Sequence, residues 1–355
     1  MAYTTIDDPS AYFQTTLYTG NGSTNAITNS GNSDLQPDWV WIKKRSATEN
    51  HALYDSVRGT TKTLYSNLTE AEYTESTSLT AFGSDGFTLG ADGIVNANTG
   101  TYVSWNWKAN GSGSANTAGS INTTATSANT TAGFSISTYT GNNTSGATIG
   151  HGLGVKPNVI IIKQRNAGSS YWIVYHDKVS SAPETDYLAL NSSDAVADAD
   201  VFWNDTAPTS TLITLGNDSW VNGSSTTHVC YAFAEKQGYS KFGSYVGNGQ
   251  SDGQRIITGF KPACIIIKGA VSGAGDAAQN WEIYDNKRLG YNVDNNNLNP
   301  NTSGAESTGD RLDIVSNGFK IRVNSDGVND NGSTYIYMAF AENPFVTSTG
   351  VPATA

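Results

Sequence analysis

One pattern recurs three times along this chain, and it constrains the fold more than any other feature of the sequence. Each copy begins with a tyrosine that enters a Gly-Asn turn, at residues 18–21, 139–142 and 245–248. A proline then precedes an apolar run that ends in a lysine six positions later, at residues 37–43, 157–163 and 262–268. Self-similarity of this kind is the signature of a repeated structural unit. We therefore expect three related units.

Two further elements complete the pattern. A strand-like run in each copy ends next to an aspartate, at Asp55, Asp177 and Asp285. Each copy closes with Val-Asn, followed seven residues after the valine by Tyr or His and five residues later by Trp or Phe. Equal offsets in all copies require the same strand register. We expect the motif lysines to end equivalent strands: Lys43, Lys163 and Lys268.

The composition favours β-structure. Charged residues make up 14% and hydrophobic residues 37% of the 355 residues. Strong helix formers are scarce, with 2 Met and 20 Lys plus Arg, whereas 18 Tyr, 11 Phe and 8 Trp suit pleated, half-buried surfaces. The expected fold class is all-β, with three tandem antiparallel β-sandwich units of jelly-roll or lectin-like type related by the internal repeat. Propeller blades or solenoid turns fit the long period less well.

The pattern also gives the expected domain boundaries. The first unit spans residues 1–109, and a Gly/Ser/Thr/Asn-rich linker or thin surface ribbon spans 110–133. The second unit spans 134–237, the third spans 238–345, and a C-terminal tail spans 346–355. Because Gly238 alone separates the second and third motifs, these two units are expected to form one rigid pair.

Charge and hydropathy argue against several classes of function. With a net charge of −11, the chain has no diffuse positive field for phosphates, so nucleic acid is not an expected partner. Residues 1–13 lack the features of a signal peptide, and no run reaches the roughly 20 apolar residues of a membrane span, so neither export nor membrane insertion is expected. Cys230 and Cys264 lie in apolar runs, which favours reduced core thiols over a single disulfide.

Patterns that carry enzyme chemistry are weak. None of the 4 histidines has the spacing of a zinc site, and no glycine-rich turn opens a helix that could hold a phosphate, so no metal and no cofactor are expected. His176 and Asp177 form the most enzyme-like pair, but the match of this aspartate in the other copies favours an Asx turn. The Asn/Asp-rich residues 292–299 and 324–332 lack EF-hand spacing, which favours solvated turns over calcium sites. No catalytic residue is assigned.

Two tryptophans stand apart from the repeated pattern. Residues that recur in all copies serve the fold first, so binding residues are sought among those found in a single copy. Trp203 and Trp220 occur in the second copy without counterparts, among Asn, Asp, Thr and Gly. A flat indole beside amide and carboxylate groups suits a sugar ring, although a tryptophan that covers a loop or a unit boundary gives the same pattern. Trp203 and Trp220 are the candidate glycan-binding residues.

A family resemblance is carried by residues 5–13, 36–43, 55–59, 84–89 and 335–345. These segments resemble a repeated domain of unassigned function found in virion and tail-appendage proteins of marine tailed bacteriophages. The resemblance covers nearly the whole chain. It implies a noncatalytic virion structural protein, in a tail fibre or appendage that contacts the host surface.

The same resemblance implies a location and partners. The protein is expected to assemble in the host bacterial cytoplasm and to reside in the virion as a homo-oligomer, next to other virion proteins and facing a host cell-surface glycan. Two alternatives stay open. One is a capsid or neck decoration protein, and the other is a polysaccharide-degrading enzyme on a β-sandwich scaffold, which would need a carboxylate pair in a cleft.

Overall fold

The computed structural model describes residues 2–271, 279–288, 292, 296–309 and 311–352. Within these residues the chain is almost entirely β-structure, so the all-β prediction is confirmed. No helix in this part of the chain is long and apolar enough to cross a membrane. The helices are a 3-10 turn, Pro9–Ala11, and four single turns: α1 (Gly93–Asn96), α2 (Asp200–Trp203), α3 (Ser219–Asn222) and α4 (Asp326–Asn329).

The strands are numbered in chain order. The strands before residue 110 are β1 (Phe13–Thr19), β2 (Asn25–Thr28), β3 (Trp39–Lys44), β4 (Ala52–Asp55), β5 (Lys62–Tyr65), β6 (Tyr73–Thr74), β7 (Leu79–Gly83), β8 (Gly86–Leu89) and β9 (Thr101–Trp107). Residues 110–237 contain β10 (Ala125–Asn129), β11 (Phe134–Thr140), β12 (Ala147–Gly150), β13 (Val159–Gln164), β14 (Trp172–His176), β15 (Asp186–Ala189), β16 (Ala197–Asp198), β17 (Leu212–Leu215) and β18 (Thr227–Phe233). The remaining strands are β19 (Ser240–Val246), β20 (Arg255–Ile257), β21 (Phe260–Val271), β22 (Trp281–Asp285), β23 (Leu312–Val315), β24 (Gly318–Ile321) and β25 (Thr334–Pro344).

Three large antiparallel sheets contain most of these strands. The first has the order β1-β9-β3-β4-β5-β6, the second β10-β11-β18-β13-β14-β15-β16, and the third β19-β25-β21-β22. A run of four strands has the same order in each sheet: β1-β9-β3-β4, β11-β18-β13-β14 and β19-β25-β21-β22. The registers at the motif lysines also correspond, with the pairs Lys43↔Val103, Lys163↔Val229 and Lys268↔Ile336. The lysines therefore lie at equivalent strand positions.

A smaller sheet covers the outer face of each large sheet. These smaller sheets are β2-β8-β7, β12-β17 and β20-β24-β23. Phe87, Ile213 and Phe319 come from the smaller sheets and are buried in three separate apolar cores between the layers. Each pair of layers is an antiparallel β-sandwich. The two cysteines, Cys230 and Cys264, lie in large-sheet strands as free, buried thiols, as expected.

The inner faces of the three large sheets meet in one central core. Trp39 of the first sheet stacks on Tyr231 of the second, with ring centroids 4.5 Å apart. Phe340 of the third sheet lies 5.3 Å from Phe13 and 5.8 Å from Phe233, measured between ring centroids. The first sheet thus packs against both others, and the second and third sheets also contact each other in this core. Coverage of both faces explains why β3, β13 and β21 are continuous apolar runs.

The recurring asparagines and tyrosines join the layers of each sandwich at their loops. The amide of Asn96 accepts the N–H of Asn21 and donates to the carbonyl oxygens of Ser23 and Gly90. The side chains of Asn222 and Asn329 make corresponding bonds in the other two sandwiches. The turn tyrosines donate their hydroxyls to valine carbonyls, in the pairs Tyr18–Val95, Tyr139–Val221 and Tyr245–Val328. The motif residues therefore satisfy buried polar groups of the loops.

The range predicted as a linker, 110–133, contains a strand. β10 pairs with β11 from Ala125↔Thr138 to Asn129↔Phe134 and forms the edge of the second large sheet. Backbone hydrogen bonds to β11 hold this polar segment in place. Because these bonds do not depend on the side chains, the composition of the segment could not predict the strand. Residues 110–124, before β10, are mostly exposed, and Ile121 forms an isolated bridge with Ile149.

Candidate functional site

Trp203, one of the two candidate tryptophans, lies inside the second sandwich. Its side chain is 2% exposed, its Nε1 donates to the Asp186 carbonyl oxygen at 3.0 Å, and its ring meets Tyr175 edge-on. A sugar ring cannot stack on a face that protein atoms already cover. The assignment of Trp203 to glycan contact therefore disagrees with the structure, because helix α2 turns this side chain into the core.

Trp220, the other candidate, lies partly exposed on the second sandwich. Its ring meets Tyr171 edge-on at 4.9 Å and stacks on Phe202 at 6.0 Å, measured between centroids. Tyr171 is also partly exposed. The carboxylate of Asp218 accepts the backbone N–H of Trp220 at 2.7 Å and caps α3, which fixes the position of the indole. We call Trp220 and Tyr171 the aromatic pair.

His176 takes the structural place of an aspartate. Asp55, His176 and Asp285 all pair with the residue two positions after the motif proline, so His176 and not Asp177 is equivalent to the two aspartates. Asp55 and Asp285 form the expected Asx turns, each accepting the N–H groups two and three residues ahead. In the middle copy, His176 Nδ1 accepts the N–H of Lys178 at 3.2 Å. The prediction of an Asx turn at Asp177 is therefore wrong.

Asp55 anchors a charged network at the first seam, the contact between the first and second large sheets. Its carboxylate pairs with the buried guanidinium of Arg58, which also reaches Glu72 at 3.0 Å. Arg165, which follows β13 of the second sheet, donates two N–H groups to the same Glu72, at 2.8 and 3.0 Å. Tyr231 of the second sheet donates its hydroxyl to Asp55 at 2.7 Å. The network therefore connects the two sheets through bonds to charged groups.

The seam between the third and first sheets contains the same arrangement. Asp285 pairs with Arg288 at 2.7 Å, and Arg288 reaches Glu306 at 3.2 Å. Arg45 of the first sheet donates two N–H groups to Glu306, both at 2.9 Å, and Trp105 donates its Nε1 to Asp285 at 3.0 Å. Burial raises the pKa of Glu306, but the hydrogen bond from Arg45 and the charge of Arg288 outweigh it and lower this pKa overall.

The seam between the second and third sheets uses neutral groups at these positions. His176 Nε2 lies 3.2 Å from the carbonyl oxygen of Tyr337, and burial lowers the pKa of this histidine to about 4. Val179 follows His176 by three residues, where the other two seams have an arginine. A backbone bond from Val196 to Ala270, 2.9 Å long, joins the sheets. The three seams therefore share a geometry but differ in charge.

Two of the motif lysines, Lys163 and Lys268, are buried at these seams. Lys163 Nζ donates to the Thr69 carbonyl oxygen at 3.0 Å and to the carbonyl and hydroxyl oxygens of Ser170 at 2.6 and 2.7 Å. Lys268 Nζ donates to the carbonyl oxygens of Ser193 and Gln279. Burial lowers the pKa of both lysines to about 7. Each amine thus bonds to neutral oxygens of two neighbouring sheet regions.

A cavity of about 140 Å³ lies where β1 meets the third sheet. The residues that line it include Gln14 and Thr15 of β1, residues 30–32, Asn286 and Glu342. The hydroxyl of Thr15 is buried and has no hydrogen-bond partner within the described residues. The cavity is small and mostly polar.

Two Asn/Asp-rich loops, residues 292–299 and 324–332, have side-chain oxygens of the kind that bind calcium. Residues 292–299 lie partly outside the described residues. In residues 324–332 the amide of Asn329 is bonded to the chain itself, at Asn248, Gln250 and Val323. No group of three or more His, Cys, Asp or Glu side chains that could hold a metal ion occurs in the part of the chain that the structure describes.

Sequence reasoning missed the arginines and glutamates of the charged seams. A signal was present, because Arg58 follows Asp55 and Arg288 follows Asp285 by the same three residues. The glutamates carry no such signal, since their partners are far away in the chain. Glu72, for example, binds Arg165, which is 93 residues later.

The comparisons with known proteins give one match. A family model described as a domain of unknown function, DUF7483, matches residues 8–344, which include all three large sheets. Neither the curated proteins nor the solved structures gave a match. The chain therefore belongs to the DUF7483 family.

Proposed function

We propose that this protein is a noncatalytic structural component of a bacteriophage particle, in a tail fibre or appendage that contacts the host surface. The resemblance of residues 36–43 and 335–345 to tail-appendage proteins supports this role. One structural observation carries the proposal: the buried charged groups join separate sheets to each other. The particle is the proposed location, with other virion proteins and further copies of the chain as partners.

Asp55, Arg58, Glu72 and Arg165 all find partners across or beside the first seam. Removing one member of a buried network leaves an uncompensated charge, so such networks hold their elements in one relative position. A rigid body of this kind suits a particle component whose shape must persist outside the cell.

Host contact is proposed to occur through the aromatic pair. Trp220 and Tyr171 are partly exposed aromatic rings at the surface of the second sandwich. The apolar face of a sugar ring stacks on an indole, while nearby polar groups bond its hydroxyls. Trp203, which is buried, serves as an internal control because its loss affects folding instead of contact.

The location is tested by labelling intact particles with antibodies against this chain and imaging them by electron microscopy. Label at the tail fibres or appendages is the expected result. Label at the head or neck would replace the proposal with the decoration alternative, and absence from purified particles would contradict both. A reducing-end assay on host polysaccharide tests the enzyme alternative, because release of new reducing ends would show catalysis.

The contact surface is tested by adhesion of purified variants to host cells. Trp220→Ala should weaken adhesion roughly tenfold or more, because an aromatic anchor typically carries about 2 kcal/mol of binding. Tyr171→Phe keeps the ring and should bind as the parent does. Trp203→Ala should instead lower the free energy of unfolding by about 3–5 kcal/mol. If a folded Trp220→Ala variant adheres as tightly as the parent, the aromatic pair is not the contact.

A further inference from the structure

The three large sheets have equivalent edge strands, β1, β11 and β19. One of these edges is covered by another strand, one is blocked by a charged side chain, and one has neither. The registers align Thr15 with Ile136 and Phe242, and Leu17 with Thr138 and Ser244. Along an antiparallel edge strand, the backbone groups of alternate residues point away from the sheet. These six residues are among those whose N–H and C=O groups point outward, so they help to decide whether a further strand can add.

The outward edge of β11 is covered by a strand of the same chain. β10 pairs along it, and the N–H of Thr124 donates to the Thr138 carbonyl oxygen at 2.7 Å. Thr138 is 4% exposed. The second sheet therefore shows what this edge accepts when it is occupied: an extended segment with the sequence Ala-Thr-Ser-Ala-Asn.

The outward edge of β19 is blocked by a carboxylate. The backbone N–H of Phe242 points to Glu235 Oε2 at 3.5 Å, and Lys241 holds the same carboxylate at 2.6 Å. Charged side chains along an edge strand prevent pairing with another strand. This edge is closed without a covering strand.

The outward edge of β1 has no covering strand within the described residues. In the part of the chain that the structure describes, the backbone groups of Thr15 and Leu17 that point outward make no hydrogen bond. Leu17 is 38% exposed, against 4% for its equivalent Thr138, whereas Thr15, beside the cavity, is 4% exposed. The cavity of about 140 Å³ lies beside Thr15, whose buried hydroxyl also has no partner among the described residues. Unsatisfied backbone groups, an unsatisfied hydroxyl and an empty space thus occur together.

We infer that the outer edge of β1 is a strand-acceptor site that binds an extended polypeptide segment with small, uncharged side chains by β-augmentation. The backbone groups of Thr15 and Leu17 supply the ladder bonds. The narrow cavity selects small side chains, as those of β10 are. The lining contains one positive side chain, Lys287, and one negative side chain, Glu342, which also pairs with Lys261 at 3.2 Å, so it favours a segment without net charge.

This inference goes beyond the proposed function, because it concerns an assembly contact on the isolated protein. Strand binding is measured without host cells or particles, so its failure leaves the adhesion and labelling results unaffected. Likewise, failure of the adhesion or labelling experiments leaves the strand-binding result unaffected.

The test uses a fluorescein-labelled peptide with the sequence of residues 122–131 and the full chain, measured by fluorescence anisotropy. Saturable binding is expected. Leu17→Pro should weaken it at least tenfold, because proline removes an outward N–H that makes no bond within the sheet. Leu17→Thr, which introduces the residue found at the equivalent position of β11, should bind as the parent does. Ser244→Pro is the matched control on β19 and should leave binding unchanged.

Two results would overturn the inference: no saturable binding to the parent chain, or equal binding to a folded Leu17→Pro variant. If Leu17→Pro fails to fold, amide hydrogen exchange on the parent decides. Peptide binding should slow exchange at Thr15 and Leu17, whereas unchanged exchange at both amides would contradict a strand on this edge.

Discussion

The first seam and the seam between the second and third sheets occupy equivalent places in the molecule but differ in chemistry. The first uses the buried pair Asp55 and Arg58 with further charged partners. The other uses His176 and Val179 with neutral contacts. This geometry therefore does not need charge at these positions, because His176 faces a backbone carbonyl oxygen where the first seam has an ion pair. A charged seam should nevertheless lose more when one member is removed, because a buried ion is left without its partner.

The largest expected effect is the loss of an aspartate at a charged seam. Asp55→Ala and Asp285→Ala should each lower the free energy of unfolding by about 3–5 kcal/mol, because a buried arginine loses its closest partner. Urea unfolding measures this value. His176→Ala, at the equivalent position of the neutral seam, should cost about 2 kcal/mol, for one neutral hydrogen bond and a small cavity. Equal losses at all three positions would contradict the distinction between the seams.

The next effect is a loss of stability in acid at the neutral seam. Burial lowers the pKa of His176 to about 4, while an unfolded histidine titrates near 6.5. The unfolded state therefore binds a proton between these values that the folded state does not, so stability falls as the pH falls through this window. His176 should contribute about 2 kcal/mol to the loss between pH 7.5 and 5.

Urea unfolding at these two pH values tests the contribution. His176→Gln cannot titrate, so its loss of stability on acidification should be smaller than that of the parent. His151 and His228 have pKa values lowered to about 4 by burial as well, so part of the acid sensitivity should remain in this variant. An equal loss of stability on acidification in the parent and the variant would show that burial does not lower the pKa of His176.

A smaller effect concerns the motif lysines, which should behave alike in both kinds of seam. Burial lowers the pKa of Lys163 and Lys268 to about 7, so the unfolded state binds more protons above that pH. Stability should therefore rise from pH 7 to 9, by about 1–2 kcal/mol for each lysine. Lys163→Met and Lys268→Met should each remove a similar part of the rise. A rise removed by only one of them would show that the lysines depend on the charge of their seam.

The smallest effect is expected at the partly exposed arginines. Arg165 and Arg45 have side chains 20% and 18% exposed, and their glutamates keep a second arginine. Arg165→Ala and Arg45→Ala should cost about 1 kcal/mol each, and less at high salt. Unfolding in low and high salt measures both values. A loss of stability as large as that of Asp55→Ala would show that the partly exposed arginines, and not the buried pair of Asp55 and Arg58, contribute most to the stability of the seam.

The sequence predicted the parts of the fold that depend on short, repeated spacings. Asn96 and Tyr18 bond to groups within one sandwich, and the equivalent bonds require the same offsets in each copy. The motif lysines lie at equivalent positions for the same reason. These features were accessible because a repeated local contact leaves a repeated pattern in the chain.

The candidate site was harder to predict because burial depends on distant contacts. Trp203 has polar neighbours in sequence, yet it is covered by Asp186 and Tyr175 of other strands. The role of Glu72 depends on Arg165 across a seam, and a single sequence has no pattern that joins the two. The open edge of β1 became visible only by comparison with β11 and β19.

The three large sheets form one body through their shared core and seams. This claim is tested by inserting a specific protease site between Thr117 and Ala118, which are exposed in the segment before β10, and cleaving the folded protein. Native size-exclusion chromatography should show both fragments eluting together at the volume of the uncut chain, because the core and the seams stay intact. Elution of the second fragment alone, folded and separate from the first, would contradict the claim.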